Sequence, residues 1–437
     1  MLLKKQLMKL DYKYQFNNVK EPLYRGFFFI NYNKYLLIIY FFILNIFCSD
    51  LLGIEIRNNP HLKMDYFFES IENNSSYKIN ISDLNTEIII FGEPISGTKV
   101  IVYYDDLIIK KDHDIKKYLK VYNNKKSKVI TIKNKIENSK TNPVKVILQL
   151  PKNIDLNINN CVDKVSIDNI LGTIHILNHS GIIDITSMIG NLDVLASESE
   201  INITNSKLQS NLETKGFNLT LINNVGNLNI TTTGSDIFLN NHIGDLKIFS
   251  NSGILSIKTL IGKFSHFKTN GELIVIEDAK TNLDISNQLG DLDMKNITGS
   301  IRANTNNGNI SINKYYGSLL IDTNSGDVFL EDIIGSTDIS SNLGNIKCKL
   351  NYESSFKNSF HSIETIEGDI NIEIPKKLSM SLASQIASNR STQDITSEIP
   401  LKFLVEDEKI VGRAFINDGT IPINLYSKNG FISIKDY

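Results

Sequence analysis

A chain of 437 residues is long enough for two or three ordinary domains or for one extended repeat array, and its makeup favours the array. Only 8 prolines and no tryptophan accompany abundant isoleucine, leucine, valine and threonine, a balance that suits β-packing with few rigid turns. With 46 basic against 48 acidic residues, the formal net charge of -2 gives no electrostatic reason to expect a nucleic-acid partner, which would need a basic face, and that class is set aside.

Residues 1–34 form a basic flank, in which Lys4, Lys5, Lys9, Lys13, Lys20, Arg25 and Lys34 outnumber Asp11 and Glu21; such a flank stays on the cytoplasmic side. Residues 35–50 follow as a signal peptide or membrane anchor. Their core, Tyr35 to Phe47, has Asn45 as its only polar side chain beyond the tyrosines and is shorter than the roughly 20 residues of a spanning helix. It would serve as an anchor if residues 27–34 were drawn into the bilayer, and a start at Met8 would shorten the flank. Cys48, with Ser49 and Asp50 after it, resembles the acylated cysteine of a bacterial lipoprotein signal and is the one candidate lipid-attachment residue. Phe47 and Asn45 depart from that pattern, which has a small residue and a leucine there, and Leu44 stands one place early. The expected location is the cell envelope: membrane-anchored, periplasmic or surface.

Residues 51–145 contain strand-like pieces, at Lys78 to Ile81, Glu87 to Phe91, Lys99 to Tyr104 and Lys128 to Lys133, between turns rich in lysine and asparagine. They are expected to form an irregular N-terminal part, or cap, of the repeat array.

Residues 146–350 carry the decisive pattern. Glycine recurs every nine residues at Gly290, Gly299, Gly308, Gly317, Gly326, Gly335 and Gly344. Upstream the ladder continues through Gly172, Gly181, Gly190, Gly216, Gly226, Gly234, Gly244, Gly253, Gly262 and Gly271 at spacings of about eight to ten, with gaps at Ser199, Leu208 and Lys280 to Thr281. Two kinds of nonamer alternate. One enters its glycine from small polar residues (Thr323, Asn324, Ser325, Gly326) and the other from apolar ones (Ile333, Ile334, Gly335), so the unit is eighteen residues. After either glycine the second and fourth places are mostly aliphatic, as at Ile174 and Ile176, Leu192 and Val194, Leu246 and Ile248, Ile310 and Ile312, Leu319 and Ile321, and Val328 and Leu330. That alternation is a strand with one buried face, and a strand this short buries its face only by stacking on copies of itself. The predicted fold is all-β, a single-stack parallel β-solenoid of about 18 residues per coil, with glycine supplying turn conformations that other residues resist. Residues 351–437 supply C-terminal coils and a cap. Tyr352 to Ile363 reads as a loop, Asp369 to Ile374 as a strand, and Leu378 to Asn389 as strand or helix.

The ladder resembles a family of exported bacterial β-helix proteins called putative adhesins, whose domain has no assigned biochemical activity. Val146 to Pro151 followed by Asp155 to Ile158 is similar to the family's opening strand, and Asn429 to Ile434 to its closing strand. The resemblance covers roughly residues 145–437, more weakly from residue 77, and implies a solenoid at the cell envelope.

The calcium-binding β-roll places three glycines and an aspartate in each nonamer, whereas this chain has one glycine per nonamer. Asp291, Asn309, Asp327 and Asn345, eighteen apart, should stack in one column, and the expected role is an Asx turn bonded to the local backbone. A polysaccharide-active β-helix enzyme would need converging carboxylates, for which Asp291 with Asp293, or Glu331 with Asp332, are the candidates. His175 and His179 have the spacing of a helical zinc pair, but they fall on a strand and turn with no third ligand evident. His266 is expected to point inward, as is Cys348; Ser180 lacks a nucleophile-elbow pattern, and the sequon at Asn202 falls in a strand. Cys161 and Cys348 are separated by about ten coils, on the order of 50 Å, so both should be free thiols. No catalytic residue, metal ligand or cofactor is expected. The expected function is a non-catalytic, adhesin-like surface for an envelope protein or a glycan, held at the membrane through the N-terminal segment. The alternatives are a polymerising scaffold and the polysaccharide-active enzyme.

Overall fold

The computed structural model describes residues 62–70, 77–105, 119–134, 145–161, 163–271, 273–356 and 358–437; at 62–70 and 102–105 it describes the backbone alone. The basic flank, the apolar run and Cys48 lie outside the described residues. The solenoid lies within the unit Lys63–Tyr437.

One coil shows how the sequence builds it. Strand Ile310–Thr323 runs along two faces with a bend at Gly317, and buries Ile310, Ile312, Tyr315, Leu319, Ile321 and Thr323 while Ser311, Asn313, Leu320 and Asp322 turn outward. It lies parallel between Leu292–Thr305 and Val328–Ser341 at a constant offset, with Leu292, Ile310 and Val328 in one column. Every inward side chain therefore sits on its equivalents above and below. Each buried aliphatic residue contributes roughly 1.5–3 kcal/mol of transfer free energy, available only once neighbouring coils close over it. The aliphatic positions expected to point inward are all buried, from Ile174 and Ile176 to Val328 and Leu330, and so is Cys348. Among the described residues, helical structure is limited to the 3-10 turns Ser354–Phe356 and Thr392–Asp394.

Close stacking requires glycine at both glycine corners, and backbone conformation adds to it at one of them in the middle coils. Gly299, Gly317 and Gly335 have φ of 136°, 154° and 119°, a region that side chains disfavour. At Gly308, Gly326 and Gly344 close stacking is the reason by itself: a Cβ on each would collide with the backbone carbonyl of the glycine one coil earlier, as a Cβ at Gly299, Gly317 or Gly335 would also collide with the carbonyl one coil earlier. The expectation that a turn conformation explains every glycine thus fails at Gly308, Gly326 and Gly344, although Gly181 and Gly253, likewise entered from small polar residues, both have φ of 104°. A third bend is made without glycine. Asn223, Asn241, Thr259, Asp278, Asn296, Lys314 and Asp332 occupy successive coils with φ between 56° and 61°. Asparagine and aspartate tolerate that left-handed conformation better than most residues.

His266 departs from expectation. The offset between coils grows by one residue where Lys247 pairs with His266, and the register shifts between Ile261 and Phe264. This extra residue reverses the alternation, so Ser265 and Phe267 point inward and His266 faces out.

The ends do not stack in sequence order. Near the N-terminal end, Lys78–Ser82 lies between Val129–Asn134 and Asp155–Asn159. Antiparallel strands then cover the outer coil: Gly97–Asp105 against Lys145–Pro151, and Leu119–Asn124 against Val129–Asn134. Near the C-terminal end, Ile432–Asp436 is last in sequence yet lies between Ile370–Ile374 and Ile395–Ser397. Residues 378–389, open between strand and helix from sequence, form strand Met380–Ala387. It pairs parallel with Ile421–Ser427 on one side and antiparallel with Lys409–Ile416 on the other; strand Lys402–Glu406 pairs antiparallel with Lys409–Ile416 in turn.

Candidate binding surface

Because the coils are in register, outward positions form files that run along the stack at roughly 4.8 Å per step. Strands Leu171–Asn178, Ile189–Ser197, Lys207–Lys215 and Leu228–Thr233 bring His175, Asp193, Asn211 and Asn229 into one such file. These side chains bond each other. His175 Nδ1 lies 3.0 Å from Asp193 Oδ2, Asn211 Nδ2 donates to Asp193 Oδ1 at 2.8 Å, and Asn229 Nδ2 donates to Asn211 Oδ1 at 2.9 Å. Two residues along each strand is a second file of Leu177, Leu195, Glu213 and Thr231, in which Leu177 and Leu195 are 38% and 48% exposed. A groove of about 570 Å³ runs over these files. The surface thus offers fixed hydrogen-bonding groups beside uncovered aliphatic ones. The polar file continues through Lys247 and His266, whose Nδ1 is 3.0 Å from Asp284 Oδ2. Phe249 stands beside them, its ring 5.0 Å from the Lys247 ammonium and edge-on to His266.

The candidate residues from sequence are distributed otherwise. Asp291, Asn309, Asp327 and Asn345 do share a column, but they bridge coils rather than closing local turns. Oδ1 of each accepts the backbone N–H of the residue one coil on: Asn309 at 2.7 Å, Asp327 at 3.0 Å, Asn345 at 2.7 Å and Asp369 at 2.9 Å. Asp293 faces solvent, Glu331 accepts from Asn313 Nδ2 at 2.7 Å, and Asp332 accepts from Asn351 Nδ2 at 2.5 Å. His179 is not paired with His175 but lies 3.3 Å from Ser197 Oγ. Among the described residues no group of three His, Cys, Asp or Glu side chains could hold a metal ion. Asn202 of the sequon bonds Asp184 and Glu200, each at 3.0 Å. Cys161 and Cys348 are free and buried, and burial pushes both thiols up to about 12.

The pair His175 and Asp193 is eighteen residues apart, so the repeat length was the signal that joins them. Two buried histidines were also unforeseen. His242 and His361 lie inside the stack, where desolvation lowers both to about 4, offset at His242 by the backbone of Gly226 and Asn224.

The family model described as Toastrack DUF4097 matches residues 240–424. Over this stretch, which is less than half of the chain, the protein is similar to the Toastrack family. The Toastrack stretch begins within strand Ile237–Ile243 and ends within Ile421–Ser427, so it takes in the strand pair Lys402–Glu406 and Lys409–Ile416, while the groove strands precede it. The family resemblance read from the glycine ladder is thereby borne out. No curated protein matches the chain. Among solved structures, a putative cell adhesion protein from Clostridium sporogenes ATCC 15579 is 12% identical, with 86% of this chain and 100% of that one covered at a TM-score of 0.16. A putative adhesin from Parabacteroides distasonis ATCC 8503 is 14% identical over 64% of this chain and 97% of its own, at a TM-score of 0.24. Another from Parabacteroides merdae ATCC 43184 is 12% identical over 72% and 97%, at a TM-score of 0.19. No helix among the described residues is long and apolar enough to cross a membrane.

Proposed function

We propose that this protein is a non-catalytic solenoid of the cell envelope that binds an extended partner, an envelope protein or a glycan, along its polar face. The observation that carries this reading is the bonded file of His175, Asp193, Asn211 and Asn229 beside exposed Leu177 and Leu195. A partner extended along the stack would meet a hydrogen-bonding group on each of these coils, and contacts linked along one chain add affinity. Export by the segment 35–50, with lipid on Cys48, would place that face outside the cytoplasm. The antiparallel strands at both ends favour a discrete particle over a scaffold that grows by parallel end-to-end stacking.

The test is retention of envelope glycans and envelope proteins by the immobilised full chain, compared with Asp193→Ala and Leu195→Ala. Binding that falls at least about tenfold in both variants supports the reading. Binding unchanged in both removes this face from consideration, and turnover of a polysaccharide that depends on Asp193 or Glu213 would replace a binding surface with an enzyme.

A further inference from the structure

The most unusual edge in the molecule is strand Lys402–Glu406. It pairs with Lys409–Ile416 on one side and, among the described residues, with no strand on the other. Apolar side chains line it. Phe403, Leu404 and Val405 are exposed, Val405 to 75%, and Phe415 on the neighbouring strand is 70% exposed. A free edge carrying three consecutive exposed apolar residues is a template for another strand.

The order of residues says which strand fits. Lys402, Phe403, Leu404, Val405 and Glu406 run from a cation through three apolar residues to an anion. A parallel copy would set Lys402 against Lys402 and Glu406 against Glu406. An antiparallel copy centred on Leu404 sets each Lys402 against the other copy's Glu406 and each Phe403 against Val405. Opposite charges facing each other stabilise a strand pair, and like charges destabilise it. Within its own copy Glu406 Oε2 already accepts from Arg413 Nη2 at 2.6 Å, which fixes its carboxylate near the strand end.

We propose that this strand is the interface of a two-fold homodimer, formed by antiparallel pairing of Lys402–Glu406 with the same strand of a second copy. The pairing consumes the free edge of both copies, so it closes at two and does not propagate. It joins the molecules at their C-terminal cap and leaves the groove around His175 and Asp193 unobstructed by any requirement of the pairing. It is independent of the proposed function.

Sedimentation of the full chain in a non-ionic detergent, over rising concentration, tests this. The wild-type chain should dimerise, and Lys402→Glu and Glu406→Lys should each weaken dimerisation at least about tenfold by facing like charges. Mixing the two variants restores both charge pairs, so an equimolar mixture should dimerise within a few-fold of wild type. A wild-type monomer throughout the range, a dimer indifferent to both reversals, or a mixture no tighter than its components would each overturn the proposal. Should either reversal unfold the strand pair by circular dichroism, Leu404→Cys combined with Cys48→Ser decides the matter. Position 404 meets itself on the two-fold axis at about 4.5–5.5 Å between Cα atoms, within disulfide reach. A disulfide-linked dimer under mild oxidation supports the interface, and its absence refutes it.

Discussion

The middle coils and the C-terminal cap solve the same packing problem with different materials. Between residues 274 and 341 each coil sits on a copy of itself, backbone against backbone, and the corner glycines leave no room for a Cβ beside the carbonyl one coil earlier. In the cap the chain leaves the repeat, returns out of order, and covers the stack with antiparallel strands in which Phe403 lies over Gly412. A contact repeated through the stack has no freedom to shift alone, whereas a side-chain contact at an end can give way.

Substituting glycine sharpens that contrast most. Gly326→Ala drives a Cβ into the carbonyl of Gly308, which only a movement of the stacked coils could relieve, so a loss of several kcal/mol is expected. Gly412→Ala meets the ring edge of Phe403 at 2.9 Å and the end of the Leu401 side chain at 3.0 Å, and both are partly exposed side chains that can rotate away. Its cost should stay within about 1 kcal/mol. Thermal or urea unfolding of the two variants measures the difference, and equal losses would break the comparison.

Acid should act on the stack through its buried histidines. In the folded chain His242 and His361 are held down at about 4 by desolvation, below the ordinary histidine value of 6.5. The unfolded chain therefore binds more protons between those values. The stability contribution is complete above pH 6.5 and is lost as pH falls toward 4, by about 2 kcal/mol per histidine at pH 5. Unfolding curves recorded from pH 7 to pH 4.5 should show this loss, and His242→Leu should remove its share while filling the column between Asn224 and Leu260. A smaller effect is expected at the surface column. Asp327→Ala removes the acceptor of the Asn345 N–H and should cost about 0.5–1.5 kcal/mol, less where water replaces the carboxylate. Outward Asp322→Ala should change stability by no more than about 0.5 kcal/mol.

The regular coils were legible because a single rule, glycine every nine residues with aliphatics two and four places on, is repeated until it outweighs local variation. That legibility ends where the rule is interrupted. One added residue near Lys263 and Phe264 was enough to turn His266 outward, and nothing in the local composition marks it. The out-of-order stacking of Ile432–Asp436 was invisible for a related reason, since its residues obey the repeat and only tertiary pairing shows which coil they join. The groove was hidden differently. His175 and Asp193 are unremarkable alone and become a pair only when read at the coil length, a reading that also explains the Asn and Asp residues at the left-handed bend.

The central claim is the register of the stack, and two adjacent residues test it. Ile312 is buried between Met294 and Leu330, while Ser311 faces outward between Asp293 and Phe329. Ile312→Asp puts an unpaired carboxylate into that column, where desolvation costs several kcal/mol or forces the group to take up a proton. Ser311→Asp should cost within about half a kcal/mol, apart from mild repulsion by Asp293. The thermal midpoints of the two variants, measured side by side on the full chain, should differ widely with Ile312→Asp far the lower. Midpoints that coincide, or a larger fall for Ser311→Asp, would contradict the register and the buried columns built on it.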